Sequence, residues 1–320
     1  MRTSDRALVP AVLAVALVAA QICYPLTQGG ARDRVTVVVV LLAAATALAH
    51  AARTRGSGYA AGFLVIVSGL GLLAEVIGTA TGFPFGCYDY AVDRLGPALA
   101  GVPLIVPLAW TGGLYPVWIV AGLLARTVAA RIGLTAVGAV GWDLFLDPQM
   151  VADGQWRWCD AGSGLPGLEQ IPLTNYAGWF AVGLVMAGLL AVLERGSAHS
   201  RAASAGAQGG SAHSPAAARP EHGGAHSAEV ARPEHGSVRS AEVIRAEHSS
   251  AHSAGGAWAR GIAGARDASV AVPVAVFLWT WLGSALAHAV FLGLPASAAY
   301  GALGMGLLGI PLLGWLARYR

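Results

Sequence analysis

Apolar residues run along this chain in long blocks set apart by short polar stretches. The blocks predict eight helices, over roughly 7–26, 35–52, 59–79, 98–124, 128–146, 173–194, 268–291 and 296–316. Each is near the ~20 residues that an α-helix needs to cross the hydrocarbon core of a bilayer. The fourth block carries Pro103, Pro107, Gly112, Gly113 and Pro116, so it is expected to kink or to be partly re-entrant. Such breakers survive in a membrane where protein neighbours satisfy the freed backbone groups. Residues 1–22 have the basic start and apolar run of a signal peptide. No small-x-small site leads from them into a soluble domain, so a retained first helix is expected. The expected fold class is an all-α, polytopic membrane helix bundle with a long disordered cytoplasmic loop.

That loop, residues 195–267, is a different material. A 13-residue unit recurs from Ala218, from Ala231 and, in decayed form, from Ile244, built from Ala, Ser, Gly, His, Glu and Arg. It has almost nothing to bury and is expected to be a disordered linker. The expected organisation is 1–194, six helices carrying the site; 195–267, the linker; and 268–320, a C-terminal helix pair.

Composition narrows the class. The 320 residues are 56% hydrophobic and 12% charged, with a mean hydropathy of +0.60, against about 25% charged in soluble domains. A secreted disulfide scaffold, a nucleic-acid partner and an ordinary cytosolic enzyme are excluded. All 20 basic residues are arginines, which excludes Schiff-base and pyridoxal-phosphate chemistry and a P-loop lysine. With the N-terminus inside, only four arginines fall outside (Arg32, Arg34, Arg94 and Arg157) and sixteen inside. This asymmetry predicts cytoplasmic termini, a multi-pass plasma-membrane protein, and outward-facing segments at 80–97 and 147–172.

Those two segments carry the candidate chemistry. Asp143 and Asp147, four apart, lie on one helical face. Two carboxyl groups in one low-dielectric site cannot both ionise easily, so one is expected to keep its proton. Glu75 is an ionisable residue inside an apolar block, which marks a functional candidate. Asp89 is flanked by Tyr88 and Tyr90, and Trp156 and Trp158 follow an acidic turn. Trp110, Trp118, Trp279, Trp281 and Trp315 are expected in the interfacial aromatic belts. His50 and His288, on separate helices, are expected to be core or interface residues. Asn175, after Pro172, suits a helix cap as well as a ligand contact. Cys87 and Cys159 share the outer side; a disulfide is open to them, but free thiols are the expectation.

Three stretches resemble a known family: Gly82-Phe-Pro-Phe-Gly-Cys-Tyr-Asp-Tyr90; Gly101-Val-Pro-Leu-Ile-Val-Pro-Leu-Ala-Trp110; and Asp143-x-x-x-Asp147-Pro148 with Gly154-Gln-Trp-Arg-Trp158 and Ile171-Pro-Leu-Thr-Asn175-Tyr-Ala-Gly-Trp179. Over about residues 60–190 the chain is similar to the membrane-integral carotenoid biosynthesis family, which includes carotenoid 1,2-hydratases of the bisanhydrobacterioruberin hydratase type. It departs from the family pattern between Trp158 and Ile171. The resemblance implies addition of water across the terminal C1–C2 double bond of an acyclic carotenoid. The implied partners are that carotenoid, water, the lipid bilayer and other carotenoid-pathway enzymes, and no metal or redox cofactor is implied. Asp143 and Asp147 would supply the acid and position water, with Asp89 or Glu75 as substitutes. Tyr88, Tyr90, Trp142, Trp156, Trp158, Asn175 and Trp179 would hold the substrate.

Two other readings start from the same residues. Asp89-x-x-x-Asp93 and Asp143-x-x-x-Asp147 resemble the carboxylate pairs of Mg²⁺-dependent membrane prenyltransferases, which elongate carotenoids. Against this stand the lack of lysine, the presence of only Arg94 and Arg157 to meet a diphosphate, and the outward position of the aspartates. The third reading is a non-enzymatic carotenoid- or lipid-binding membrane protein.

Overall fold

The computed structural model describes residues 3–159, 163–209 and 270–318. Eight helices among them are long and apolar enough to cross a membrane. They are α1 (Thr3–Cys23), α2 (Gly29–Arg55), α3 (Ser57–Thr81), α4 (Ile105–Leu124), α5 (Val128–Ala152), α6 (Leu173–Gly209), α7 (Ala271–Leu286) and α8 (Pro295–Arg318). The all-α membrane bundle expected from the hydropathy pattern is the fold. Helix α6 continues past position 195, where the linker was expected to begin, and most of that linker lies outside the described residues. Helices α7 and α8 belong to the same compact unit as the first six spans, packing on α4 and α5.

Two boundaries move for local reasons. The fourth helix starts at Ile105 rather than 98, because Pro97, Gly101 (φ 81°) and Pro103 build a tight antiparallel turn first, with β2 (Ala98–Leu99) paired to β3 (Val102–Pro103). The fifth does not stop at Pro148 but runs through it to Ala152. A proline inside a helix leaves the carbonyl four residues earlier without its N–H donor. Here that carbonyl, Leu144 O, accepts from the Ser297 hydroxyl of α8 at 2.7 Å. A neighbouring helix thus repairs the break, and Asp143 and Asp147 sit within a continuous helix.

Close backbone approach holds α5 to α8. A Cβ added to Gly141 would lie 2.6 Å from the Gly304 carbonyl carbon, so only glycine permits this contact, the small-residue packing that membrane helices use. Outward-facing Val15, Val65, Leu303 and Ile310 are exposed, as a surface bathed in lipid tolerates.

Two of the bundle's polar clusters lie at opposite ends. At the end formed by the finish of α2 and the start of α3 and α5, Glu194 of α6 is ringed by Arg55, Arg131 (2.8 Å), the Trp118 indole (2.9 Å) and Tyr59 (3.1 Å). The Arg131 guanidinium also lies 3.4 Å from the Trp118 ring centre. Trp118 and Trp281, expected in the aromatic belts, are buried within the bundle. His50 and His288 are core residues as expected, bonded to Tyr115 and Ser297, each at 2.8 Å.

Candidate active site

At the other end, two short strands roof the bundle. Tyr-Asp-Tyr and Trp-Arg-Trp alternate aromatic and polar residues, the period-2 pattern of a strand with one apolar face. They pair antiparallel as β1 (Tyr88–Tyr90) and β4 (Trp156–Trp158), with Tyr88 opposite Trp158 and Tyr90 opposite Trp156. The ribbon is closed by a Cys87–Cys159 disulfide, Cα–Cα 5.4 Å, where free thiols were expected. The residues either side of each strand could have signalled this, since the two cysteines stand one position beyond the paired triplets.

The alternation decides the fate of Asp89. All four aromatics turn to the bundle side, and Asp89 and its cross-strand partner Arg157 turn away and are exposed. Asp93 is exposed as well. Asp89, expected beside the other acids, does not join them. The two D-x-x-x-D pairs do not converge, and Arg94 is already engaged by Asp33 in a two-pronged contact at 2.6 and 3.1 Å.

Beneath the ribbon lies an apolar cavity of about 160 Å³, walled by Glu75, Asp147, Asn175 and rings that include Trp110, Trp142 and Trp179. Asp143 and Asp147 project from one face of α5, with exposures of 0% and 4%. The Asn175 amide nitrogen donates to both, at 2.9 Å to Asp143 Oδ2 and 2.5 Å to Asp147 Oδ2. An amide has two N–H donors, and both are spent here, so Asn175 bridges the acids rather than capping α6. Asp147 also accepts from the Trp156 indole at 3.2 Å. Among the described residues Asp143 Oδ1 is buried with no hydrogen-bond partner.

Glu75 occupies a notch in α3. Gly71 and Gly78 lie four before and three after it, on the same helical face, and leave room for rings. A Cβ on Gly78 would meet the Tyr88 hydroxyl at 2.6 Å, and one on Gly71 would meet the Trp110 ring at 3.0 Å. Those rings reach the carboxyl group: Tyr88 and Tyr90 donate to Oε2 at 2.5 and 2.8 Å, and the Trp110 indole to Oε1 at 3.0 Å. Burial, and then the Glu75 carboxyl beside them, push both phenols above the ordinary tyrosine range, so each keeps its O–H and donates.

Trp110 is a site residue that sequence reasoning did not single out. It was expected in an aromatic belt, but it is 1% exposed and stacks on Trp179 with ring centres 3.8 Å apart. Trp142 meets Trp179 edge-on at 5.6 Å. Trp158 is anchored to the Phe85 carbonyl at 3.0 Å and contributes only its ring to the cavity. Of the expected site residues, ten come together here and Asp89 does not. Among the described residues no arginine pairs with Glu75, Asp143 or Asp147.

Comparison with known proteins agrees in kind. A family model described as Carotenoid biosynthesis protein matches residues 35–208, more than half of the chain and all of the site. A curated relative, the bisanhydrobacterioruberin hydratase of Haloarcula japonica, is 34% identical over 116 residues, which is 35% of this chain and 38% of that protein. The chain thus aligns to well under half the length of this relative. No solved structure matches.

Proposed function

The chain belongs to the carotenoid biosynthesis protein family, and from that premise we propose that it hydrates the terminal C1–C2 double bond of an acyclic carotenoid. The observation that carries this reading is the trio of buried carboxyl groups, solvated by neutral donors alone, at an aromatic-walled apolar cavity. An unactivated alkene has no handle except its π electrons, so hydration must begin with a strong proton donor. A carboxyl group kept from water and from cations can serve as one.

Asp147 and Glu75 both line the cavity, and Asp143 stands behind Asp147, joined to it through Asn175. Asp147 delivers the proton to C2. The tertiary cation left at C1 faces the rings of Trp110, Trp156 and Trp179, whose π faces stabilise it. Water adds its oxygen to C1, and its surplus proton goes to Glu75. The product is a tertiary alcohol, and proton exchange among the acids restores the starting state. Asp143 shares the proton of Asp147, the behaviour of coupled carboxyl pairs. Glu75, rather than Asp89, is then the second working carboxyl. The residues call for no metal or redox cofactor.

The ribbon and the site face the outer side of the plasma membrane in this reading, with both chain ends cytoplasmic. Arginine asymmetry supports that orientation, and so does the Cys87–Cys159 disulfide, since such bonds persist in oxidising compartments.

The test is pigment analysis of a lycopene-accumulating bacterial host expressing this chain. A more polar pigment, heavier by one water and missing in an Asp147→Asn variant of equal abundance, is expected. A pigment heavier by an isoprenoid unit would overturn the reading in favour of chain elongation, and bound pigment of unchanged mass would favour a carrier.

A further inference from the structure

The cavity at the acids has about 160 Å³, close to the roughly 150 Å³ that accepts a benzene-sized group. It can take the end group of a long polyene but not its length. The rest of such a molecule must leave the cavity by some path, and the bundle offers one. Between α1 and α7 runs a second concavity of about 600 Å³, lined by apolar side chains such as Ile22, Leu278, Leu282, Leu286 and Phe291. Gln21, Tyr24, Val39, Gln149 and Ser284 line both spaces, so the groove adjoins the site across these five side chains. Its wall on α7 and the following turn extends from Ala275 to Phe291, about 24 Å at the helical rise of about 1.5 Å per residue.

The polarity along this path is graded. The lipid-facing side is apolar and open, with Leu282 and Leu286 both more than half exposed. Polar groups gather only where the two spaces meet. There the Gln21 side-chain oxygen is buried and, among the described residues, has no hydrogen-bond partner. The carboxyl groups lie beyond, in the cavity.

We propose that the α1–α7 groove is the binding site for the polyene chain of the substrate, which slides in sideways from the lipid, end group first. The occupant is committed to a long apolar polyene because the groove is apolar, opens to lipid and adjoins a site whose proposed chemistry acts on such an end. The proposal rests on the hydratase reading for its ligand class, and its test separates the two.

A photoreactive benzoylphenylalanine is placed in the full chain in place of Leu282, Leu286 or, as a lipid-facing control on α3, Val65. The proteins are reconstituted in phospholipid vesicles containing lycopene and irradiated, and adducts are identified by mass. Lycopene adducts at Leu282 and Leu286 are expected to exceed those at Val65 by about tenfold, the ratio that a preference of about 1.4 kcal/mol gives. They are expected to persist in an Asp147→Asn background, which forms no product. Equal capture at all three positions, or capture of phospholipid alone at Leu282 and Leu286, would overturn the groove. If lycopene is captured selectively but never hydrated, the groove stands and the hydratase reading falls; if it is hydrated without selective capture, the reverse holds.

Discussion

Two clusters in this bundle hold their carboxyl groups in opposite ways. At one end Glu194 lies between two guanidinium groups. At the other, Glu75, Asp143 and Asp147 receive only phenol, indole and amide donors. A guanidinium favours the carboxylate alone, whereas neutral donors can solvate a carboxyl group in either protonation state. The first arrangement fixes a charge and ties α2, α5 and α6 together. The second leaves a proton free to move. An acidic residue inside a membrane protein is therefore not a site by virtue of burial; what surrounds it decides whether it holds structure or does chemistry.

The sharpest way to break this contrast is to remove the acid. Asp147→Asn keeps the volume and the Asn175 neighbour but cannot supply a proton, so pigment conversion should fall by about 10²–10⁴-fold, the usual worth of a general acid. Protein abundance and thermal unfolding in detergent should change little. Glu194→Gln should do the reverse. It strands the buried Arg131 and loosens the half-buried Arg55, a loss of about 1–3 kcal/mol once the partial exposure of Glu194 is allowed for, read as a lower unfolding midpoint and lower membrane yield, with conversion per folded molecule retained.

Smaller effects refine the ribbon end. Trp110→Phe keeps a ring against Trp179 but removes one donor to Glu75, a change of about 1–2 kcal/mol. Conversion should drop by about tenfold, measured as the ratio of hydrated to parent pigment at equal protein. Asp89→Asn should be the quietest. Its side chain points away from the cavity, so unfolding should shift by less than about 0.5 kcal/mol and pigment profiles should match the parent. A large loss of conversion in this variant would return Asp89 to the site.

Much of this molecule could be read without the fold. The eight spans follow from the length of the apolar blocks, and Asp143 and Asp147 share a face because both lie on one helix. Tyr88, Tyr90, Trp156 and Trp158 stood out by their spacing. The same spacing carried more than was taken from it, because a period of two with cysteines at the edges also specifies a disulfide-closed ribbon. That ribbon excludes Asp89 by alternation. Trp110, by contrast, left no local signal, since an indole in an apolar helix looks alike whether it faces lipid or a carboxyl group.

The sequence by itself determined where the chain crosses the membrane and which segments carry acid and aromatic groups. These depend on hydropathy and period, and each helix satisfies its own backbone in lipid whatever its neighbours are. Only the tertiary structure decided which groups meet. The Gly71–Glu75–Gly78 notch admits Trp110 and Tyr88, Ser297 repairs the helix at Pro148, and Asn175 reaches across from α6 to the acids of α5. In lipid, apolar faces are interchangeable as solvent-exposed surface, so helix rotation and pairing are set by such notches and polar contacts between distant segments, which no stretch of sequence contains alone.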